Sequence, residues 1–222
     1  MMKRVSLALI SARLMLCAAL SGAGVAHGAD SIDLINEALA SARSGDAAQL
    51  RVALSHGASV NTRSRIGDTL LVIAIKADHT EYALAALAAG ADPQLADAAG
   101  VTPLMAAAFQ GNVSVMRALL DRHVALDASD RVHKVAMVYA AGAGRTEAVR
   151  LLLDAGAPVD ARYDSQLTAL MWAAGNGNVE TARLLLQRGA TPSLTDDRGK
   201  DARQMARENG QNDVVNLLDH HD

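Results

Sequence analysis

One spacing governs this chain from residue 45 to residue 210. The pair Gly-Ala stands at Gly57-Ala58, Gly90-Ala91, Gly156-Ala157 and Gly189-Ala190, each a multiple of 33 residues apart, with His123-Val124 where one further pair is due. A second line at the same spacing runs Gly45, Asp78, Gly111, Gly144, Gly177, Gly210, and a third runs Leu54, Leu87, Leu120, Leu153, Leu186. A period in this range belongs to a solenoid of stacked units, not to one closed globule. Such a chain offers a long surface to a partner more readily than a catalytic pocket.

Within each unit the pattern reads as two short helices. Thr102-Pro103 opens one, because proline in a first turn lacks only an N–H that would be unpaired anyway. Ala74, Ala107, Ala140, Ala173 and Ala206 recur at one inner position, where a small side chain lets helices approach. Leu71, Leu104, Met137 and Leu170 recur three residues earlier and are expected to fill the core. Glycine after a helix takes the left-handed conformation that ends it, so His123 is expected at positive φ. The helices are expected to be shorter than about 12 residues, too short to stand alone in water. Stability then comes from stacking. In the last copy Arg203 and Arg207 stand where other copies are apolar and Asp219 replaces the recurrent leucine, which gives a polar terminal cap.

The best copies read Gly100-Val101-Thr102-Pro103-Leu104-Met105-Ala106-Ala107-Ala108-Phe109-Gln110-Gly111-Asn112 and Thr168-Ala169-Leu170-Met171-Trp172-Ala173-Ala174-Gly175-Asn176-Gly177-Asn178. This resembles the ankyrin repeat, with its G-x-T-P-L-H-x-A-A-x-x-G signature followed by a second helix ending in Leu-Leu and then Gly-Ala. Met105 and Met171 replace the signature histidine, Val72 and Val138 do so elsewhere, and Val135-Ala136-Met137 replaces T-P-L. Those changes are expected to weaken the hydrogen-bonded turn. The resemblance implies an all-α solenoid of helix-turn-helix units joined by β-hairpin-like loops. About five repeats plus a C-terminal cap are expected, at approximately 31–63, 64–96, 97–129, 130–162, 163–195 and 196–222. The fourth, with Gly142-Ala143-Gly144 and no T-P-L, is expected to be the softest.

The N-terminus carries Lys3, Arg4 and Arg13, then an apolar run over 14–20, then the small residues of 21–26. These are the zones of a secretory signal peptide, expected over residues 1–28 with cleavage after Ala26 or Gly28 and the repeat domain over 29–222. The apolar run is too short to span a bilayer, and Leu16 before Cys17 does not suit a lipid anchor. Cleavage would remove three basic residues and no acid, taking the formal charge from −3 to −6, and would remove the only cysteine. The mature chain is then expected in the periplasm, without a disulfide. An acidic domain of this kind is a poor nucleic-acid binder. No membrane span is expected in the mature form, and a monomer is expected.

No catalytic residue, cofactor site or metal site is expected. The histidines near turns, His56 and His123, read as solvated turn residues, and the tail of Asp219, His220, His221 and Asp222 lacks fixed ligand geometry. The glycines are explained by the repeat and follow no phosphate-loop pattern. Surface remains. In ankyrin repeats the hairpin tips and the exposed side of the first helix form a concave binding face. By register that face comprises Arg65, Ile66, Asp68, Lys76, Val101, Phe109, Gln110, Arg131, Lys134, Tyr163, Asp164, Leu167 and Asn176, with Val132 beside them and Asp196, Asp197 and Arg198 following in the cap. Phe109 and Tyr163 are the aromatic anchors expected there. Tyr139 and Trp172 share one register and are expected to pack between repeats, and Tyr82 is expected in the core or on the convex side. Basic Arg63, Arg65, Lys76, Arg131 and Lys134 in the middle, against acidic Asp164, Asp196 and Asp197, would steer a partner of complementary charge. The resemblance therefore implies non-enzymatic protein binding, as a scaffold or accessory factor for a periplasmic enzyme. An immunity-type inhibitor of an exported toxin, or a secreted effector that binds host proteins, is the alternative.

Overall fold

Among the described residues, twelve α-helices fall into six consecutive pairs. They are α1 (Gly28–Ser44) and α2 (Ala47–Ser55), α3 (Leu70–Lys76) and α4 (Thr80–Ala88), α5 (Pro103–Gln110) and α6 (Val113–Leu120), α7 (Ala136–Gly142) and α8 (Thr146–Asp154), α9 (Ala169–Gly175) and α10 (Val179–Gln187), α11 (Ala202–Glu208) and α12 (Asn212–Asp219). These come from a computed structural model that describes residues 28–221. The chain divides into two compact units, residues 1–33 and 34–222. The segment expected to be a signal peptide lies, up to His27 and with Cys17, outside the described residues. Of the smaller unit only the start of α1 is described.

Inside the larger unit the pairs form two layers. Helices α3, α5, α7, α9 and α11 pack side by side in one, and α2, α4, α6, α8, α10 and α12 in the other. The recurrent Ala74, Ala107, Ala140, Ala173 and Ala206 are fully buried between first-layer neighbours, and Leu71, Leu104, Met137 and Leu170 are buried beside them. Tyr82 belongs to the core. Its hydroxyl hydrogen-bonds Ser41 Oγ at 3.0 Å and the Ala38 carbonyl at 3.3 Å, so α4 is tied to the first repeat. One helix departs from expectation: α1 runs for 17 residues. Its sequence carries four alanines and two leucines and meets no proline or internal glycine before Gly45, so nothing stops it sooner. The other helices have seven to nine residues and depend on their neighbours.

The first-layer helices are capped at one register. The hydroxyl oxygens of Thr69, Thr102 and Thr168 and a carboxylate oxygen of Asp201 accept backbone N–H groups three residues on, at 3.1, 3.3, 3.3 and 2.7 Å. The methionines that replace the signature histidine do not weaken this turn as expected. The backbone N–H groups of Thr102 and Thr168 donate to the sulfur atoms of Met105 and Met171, each at 3.4 Å, closing a reciprocal capping box. In the fourth repeat Val135 supplies no cap.

The starts of the second-layer helices cap the preceding repeat. His79 Nε2 bonds the Arg43 carbonyl, Arg145 Nε donates to the Phe109 carbonyl, and Asn178 Nδ2 donates to the carbonyls of Ala141 and Gly142. These carbonyls at helix C-termini have no partner within their own helix. The close approach forces glycine between the pair: a Cβ on Gly144, whose φ is 68°, would lie 2.7 Å from Asn178 Oδ1. His123 does adopt positive φ, at 53°. At the C-terminal end Arg203 pairs with Asp219 at 2.8 Å and donates to the Leu218 carbonyl at 2.7 Å, so the polar cap is a bonded network.

Candidate protein-binding face

Each hairpin between repeats is organised by the residue at its start. Asp97 Oδ1 accepts the backbone N–H groups of Ala99 and Val101 at 2.8 and 2.9 Å; Asp130 does the same for Val132 and Lys134, and Asp196 for Arg198 and Lys200. The backbone N–H of each aspartate closes the hairpin on the carbonyl four residues on. All three carboxylates are buried. Asp196 therefore does not belong to the exposed acidic face expected from sequence; its turn role excludes it. In the fifth repeat Tyr163 occupies this place, and the turn over Asp164–Gln166 needs positive φ at both Ser165 and Gln166.

The second carboxylate oxygen of Asp97 and of Asp130 reaches a first-layer helix, while that of Asp196 pairs with Arg198 in the same hairpin at 2.8 Å. Lys76 Nζ lies 2.7 Å from Asp97 Oδ2 and 3.6 Å from Asp68. Lys76 is thus neutralised, not a free positive charge. Burial works against the charged form of Asp97, but the hydrogen bonds from Lys76, Val101 and Ala99 outweigh it and hold the carboxyl below its usual range. Asp130 behaves alike, with burial opposed by the Tyr139 hydroxyl and the N–H groups of Lys134 and Val132. Burial and the Asp130 carboxylate together push the Tyr139 phenol up to about 12.

Tyr139 and Trp172 are half-buried between repeats, as their shared register implies. They do more than pack. Phe109, 51 % exposed, meets Tyr139 edge-on with ring centroids 6.0 Å apart. Lys134 Nζ sits 5.9 Å from the Tyr139 ring centroid and 5.1 Å from that of Trp172, within reach of cation–π attraction. A continuous row Phe109–Tyr139–Lys134–Trp172 crosses three repeats. A hollow of about 350 Å³ opens beside it, walled by Lys76, Val101, Met105, Phe109, Gln110 and Tyr139. A second, of about 200 Å³, lies between Val132, Lys134, Tyr163, Asp164, Leu167 and Trp172, and a third, of about 260 Å³, adjoins Leu167, Trp172 and Asn176.

The structure thus brings Lys76, Val101, Phe109, Gln110, Lys134, Tyr163, Asp164, Leu167 and Asn176 to the walls of three adjoining hollows. Arg65, Ile66 and Arg131 stand exposed at hairpin tips, with Asp68 half-buried behind them. Three of these have structural work as well. Gln110 donates to the Lys76 carbonyl at 2.6 Å and Asn176 to the Trp172 carbonyl at 2.8 Å. Tyr163 is packed against the core, and burial raises its phenol to about 12. Sequence reasoning left out Tyr139 and Trp172 as face residues. The available signal was their place three residues before Lys76, Phe109 and their equivalents, which puts them on the same helix face. Among the described residues no group of three or more His, Cys, Asp or Glu could hold a metal ion, and no helix is long and apolar enough to cross a membrane.

The family model for ankyrin repeats matches three times, over residues 35–130, 83–163 and 137–222. The chain belongs to the ankyrin-repeat family, whose repeats are protein–protein interaction modules and typically non-enzymatic scaffolds. Among solved structures, the crystal structure of EF0377, an ankyrin repeat protein, superposes with a TM-score of 0.75 at 26 % identity, covering 85 % of this chain and 98 % of that one. No curated protein sequence matches the chain significantly.

Proposed function

We propose that this protein is a non-enzymatic binding module of the bacterial periplasm, an accessory factor that docks a partner protein on the face running from Lys76 to Asn176. The row Phe109–Tyr139–Lys134–Trp172 carries this reading. Aromatic and cationic side chains held in place before binding supply contact area at low ordering cost. The hollows on either side are sized for apolar anchors of a partner. The buried hairpin aspartates fix the tips from within, so the face is presented ready-made. The basic and apolar zones of the N-terminus support export.

Affinity capture from a periplasmic extract tests the docking face, using the wild type beside Phe109→Ala with Lys134→Ala. Both substituted side chains are at least partly exposed, so the helices are expected to persist by circular dichroism. A partner held by the wild type and lost by the folded variant supports the reading; equal retention moves the interface elsewhere. N-terminal sequencing of protein recovered from the periplasmic fraction tests export. A chain still starting at Met1, or found only in the cytoplasm, overturns that part.

A further inference from the structure

The loops that follow the second-layer helices are clasped across repeats at one register. Asn61 Oδ1 accepts the backbone N–H of Asp92 at 2.8 Å, Gln94 Oε1 that of Ala125 at 3.3 Å, and Asp160 Oδ1 that of Thr191 at 2.9 Å. Each bond spans 31 residues. The remaining member of the line is Asp127, and 31 residues on stands Pro158, which has no N–H. The clasp between the third and fourth repeats cannot form. Among the described residues nothing hydrogen-bonds the exposed Asp127 carboxylate.

A hollow of about 550 Å³ opens at this seam. The equivalent place one repeat earlier, walled by Pro93, Gln94, Leu104 and Val124, holds only about 40 Å³. Shorter walls explain part of the difference, since Asp127 replaces Gln94 and Ala157 replaces Val124. The interior is apolar, formed by Leu126, Val135, Met137, Leu152 and Ala157, with Tyr163 at one side. Arg162 also borders it, but its guanidinium is engaged with the Thr195 carbonyl at 3.1 Å and with Gln166. Both partners are neutral, so the guanidinium keeps its charge; among the described residues, the charged group at the hollow without a hydrogen-bond partner is the Asp127 carboxylate. An apolar cleft of this size with a single placed polar group has the form of a small-ligand site.

We propose that this hollow binds a small amphipathic ammonium. Its apolar body fills the space under Pro158, and its N–H group donates to Asp127 in place of the missing backbone donor. This site shares only Tyr163 with the walls of the docking face and does not depend on a partner being bound there.

The test is a titration of the full chain followed by amide NMR shifts, with n-hexylammonium, n-hexanol and n-hexanoate as probes of equal length. Hexylammonium is expected to give saturable shifts confined to residues around Ala157, Ala161 and Tyr163. Hexanol and hexanoate are each expected to bind about tenfold more weakly. Asp127→Asn removes the charge, and Pro158→Ala restores the N–H that would occupy Asp127. Each is expected to weaken hexylammonium about tenfold while the amide spectrum of the first two repeats stays unchanged. Absence of saturable shifts with hexylammonium overturns the proposal. So does equal binding of hexanol, or undiminished affinity in the Asp127→Asn variant.

Discussion

The Tyr139 hydroxyl donates to Asp130 Oδ2 at 2.5 Å, joining the inner helix of the fourth repeat to the hairpin that precedes it. The same carboxylate holds the N–H groups of Val132 and Lys134 through its other oxygen. One buried acid therefore sets both the shape of a hairpin tip and the tilt of an aromatic ring on the docking face. Tyr139→Phe leaves the hairpin bonds in place and removes the phenol donor. The expected loss is about 1–2 kcal/mol of unfolding free energy, read from denaturant midpoints. A variant as stable as the wild type would show that the bond adds nothing net.

Alkaline pH tests the same contact. Tyr139 and Tyr163 have folded-state values of about 12, against about 10 for an ordinary phenol. A group raised in the folded state adds stability that is fully present below its unfolded value and is lost as pH climbs through its folded one. Stability should fall between pH about 10 and about 12. Burial also raises Tyr82, so the native protein should show no phenolate absorbance at the ordinary tyrosine value. A tyrosine titrating normally in folded protein would contradict this packing.

Acid acts with the opposite sign. Asp97 is lowered in the folded state, so its contribution is present above the unfolded carboxyl value and is lost as pH falls through the folded one. Asp97→Ala removes the Lys76 pair and leaves two hairpin N–H groups without their acceptor. About 2 kcal/mol of destabilisation is expected at neutral pH, shrinking toward the acid limb. Asp164→Ala, at an exposed tip, should change stability by less than about 0.5 kcal/mol. Thermal melts at several pH values compare the two; equal effects would remove the organising role given to Asp97.

The fourth repeat lacks the cap that Thr69, Thr102 and Thr168 provide elsewhere. Amides in the first turn of α7 should exchange faster than those of α5 and α9. Val135→Thr restores a hydroxyl of similar volume and should add about 0.5–1 kcal/mol while slowing that exchange. Equal protection in the three wild-type helices would refute the idea of a soft fourth repeat.

His123 holds φ of 53° where the other copies of its register are glycine. His123→Gly should relieve backbone strain and stabilise by about 0.5–1 kcal/mol. A fall in melting temperature would mean that the imidazole makes a compensating contact.

The repeat architecture was legible because the residues that carry it obey steric rules repeated at every period: small Ala140 where helices touch, Gly144 where a cap approaches, leucine where the core fills. The hairpin aspartates were harder to see. Asp97, Asp130 and Asp196 stand at the repeat spacing, but Ser64 and Tyr163 interrupt the line, and an aspartate in a loop reads as solvated until its backbone partners are placed. Tyr139 and Trp172 looked like packing because they are; that they also cradle Lys134 depends on side-chain directions that register alone does not supply. The clasp missing at Asp127 lay deeper still, since its meaning comes from an N–H on another loop that proline lacks. The length of α1 was missed because the first copy has none of the signature turns that bound the others.

Within the first layer each helix packs against those immediately before and after it, which makes the chain editable by whole periods. Excising residues 97–129 would carry Asp130 to the place of Asp97, opposite Lys76, and Arg145 to the place of Asn112. The two ends of the stack would meet with the same kinds of groups facing one another. The product would be a shorter protein with one fewer rung of binding surface, whereas a cut that is not a whole number of periods would leave every later cap searching for a carbonyl on the wrong side of the helix.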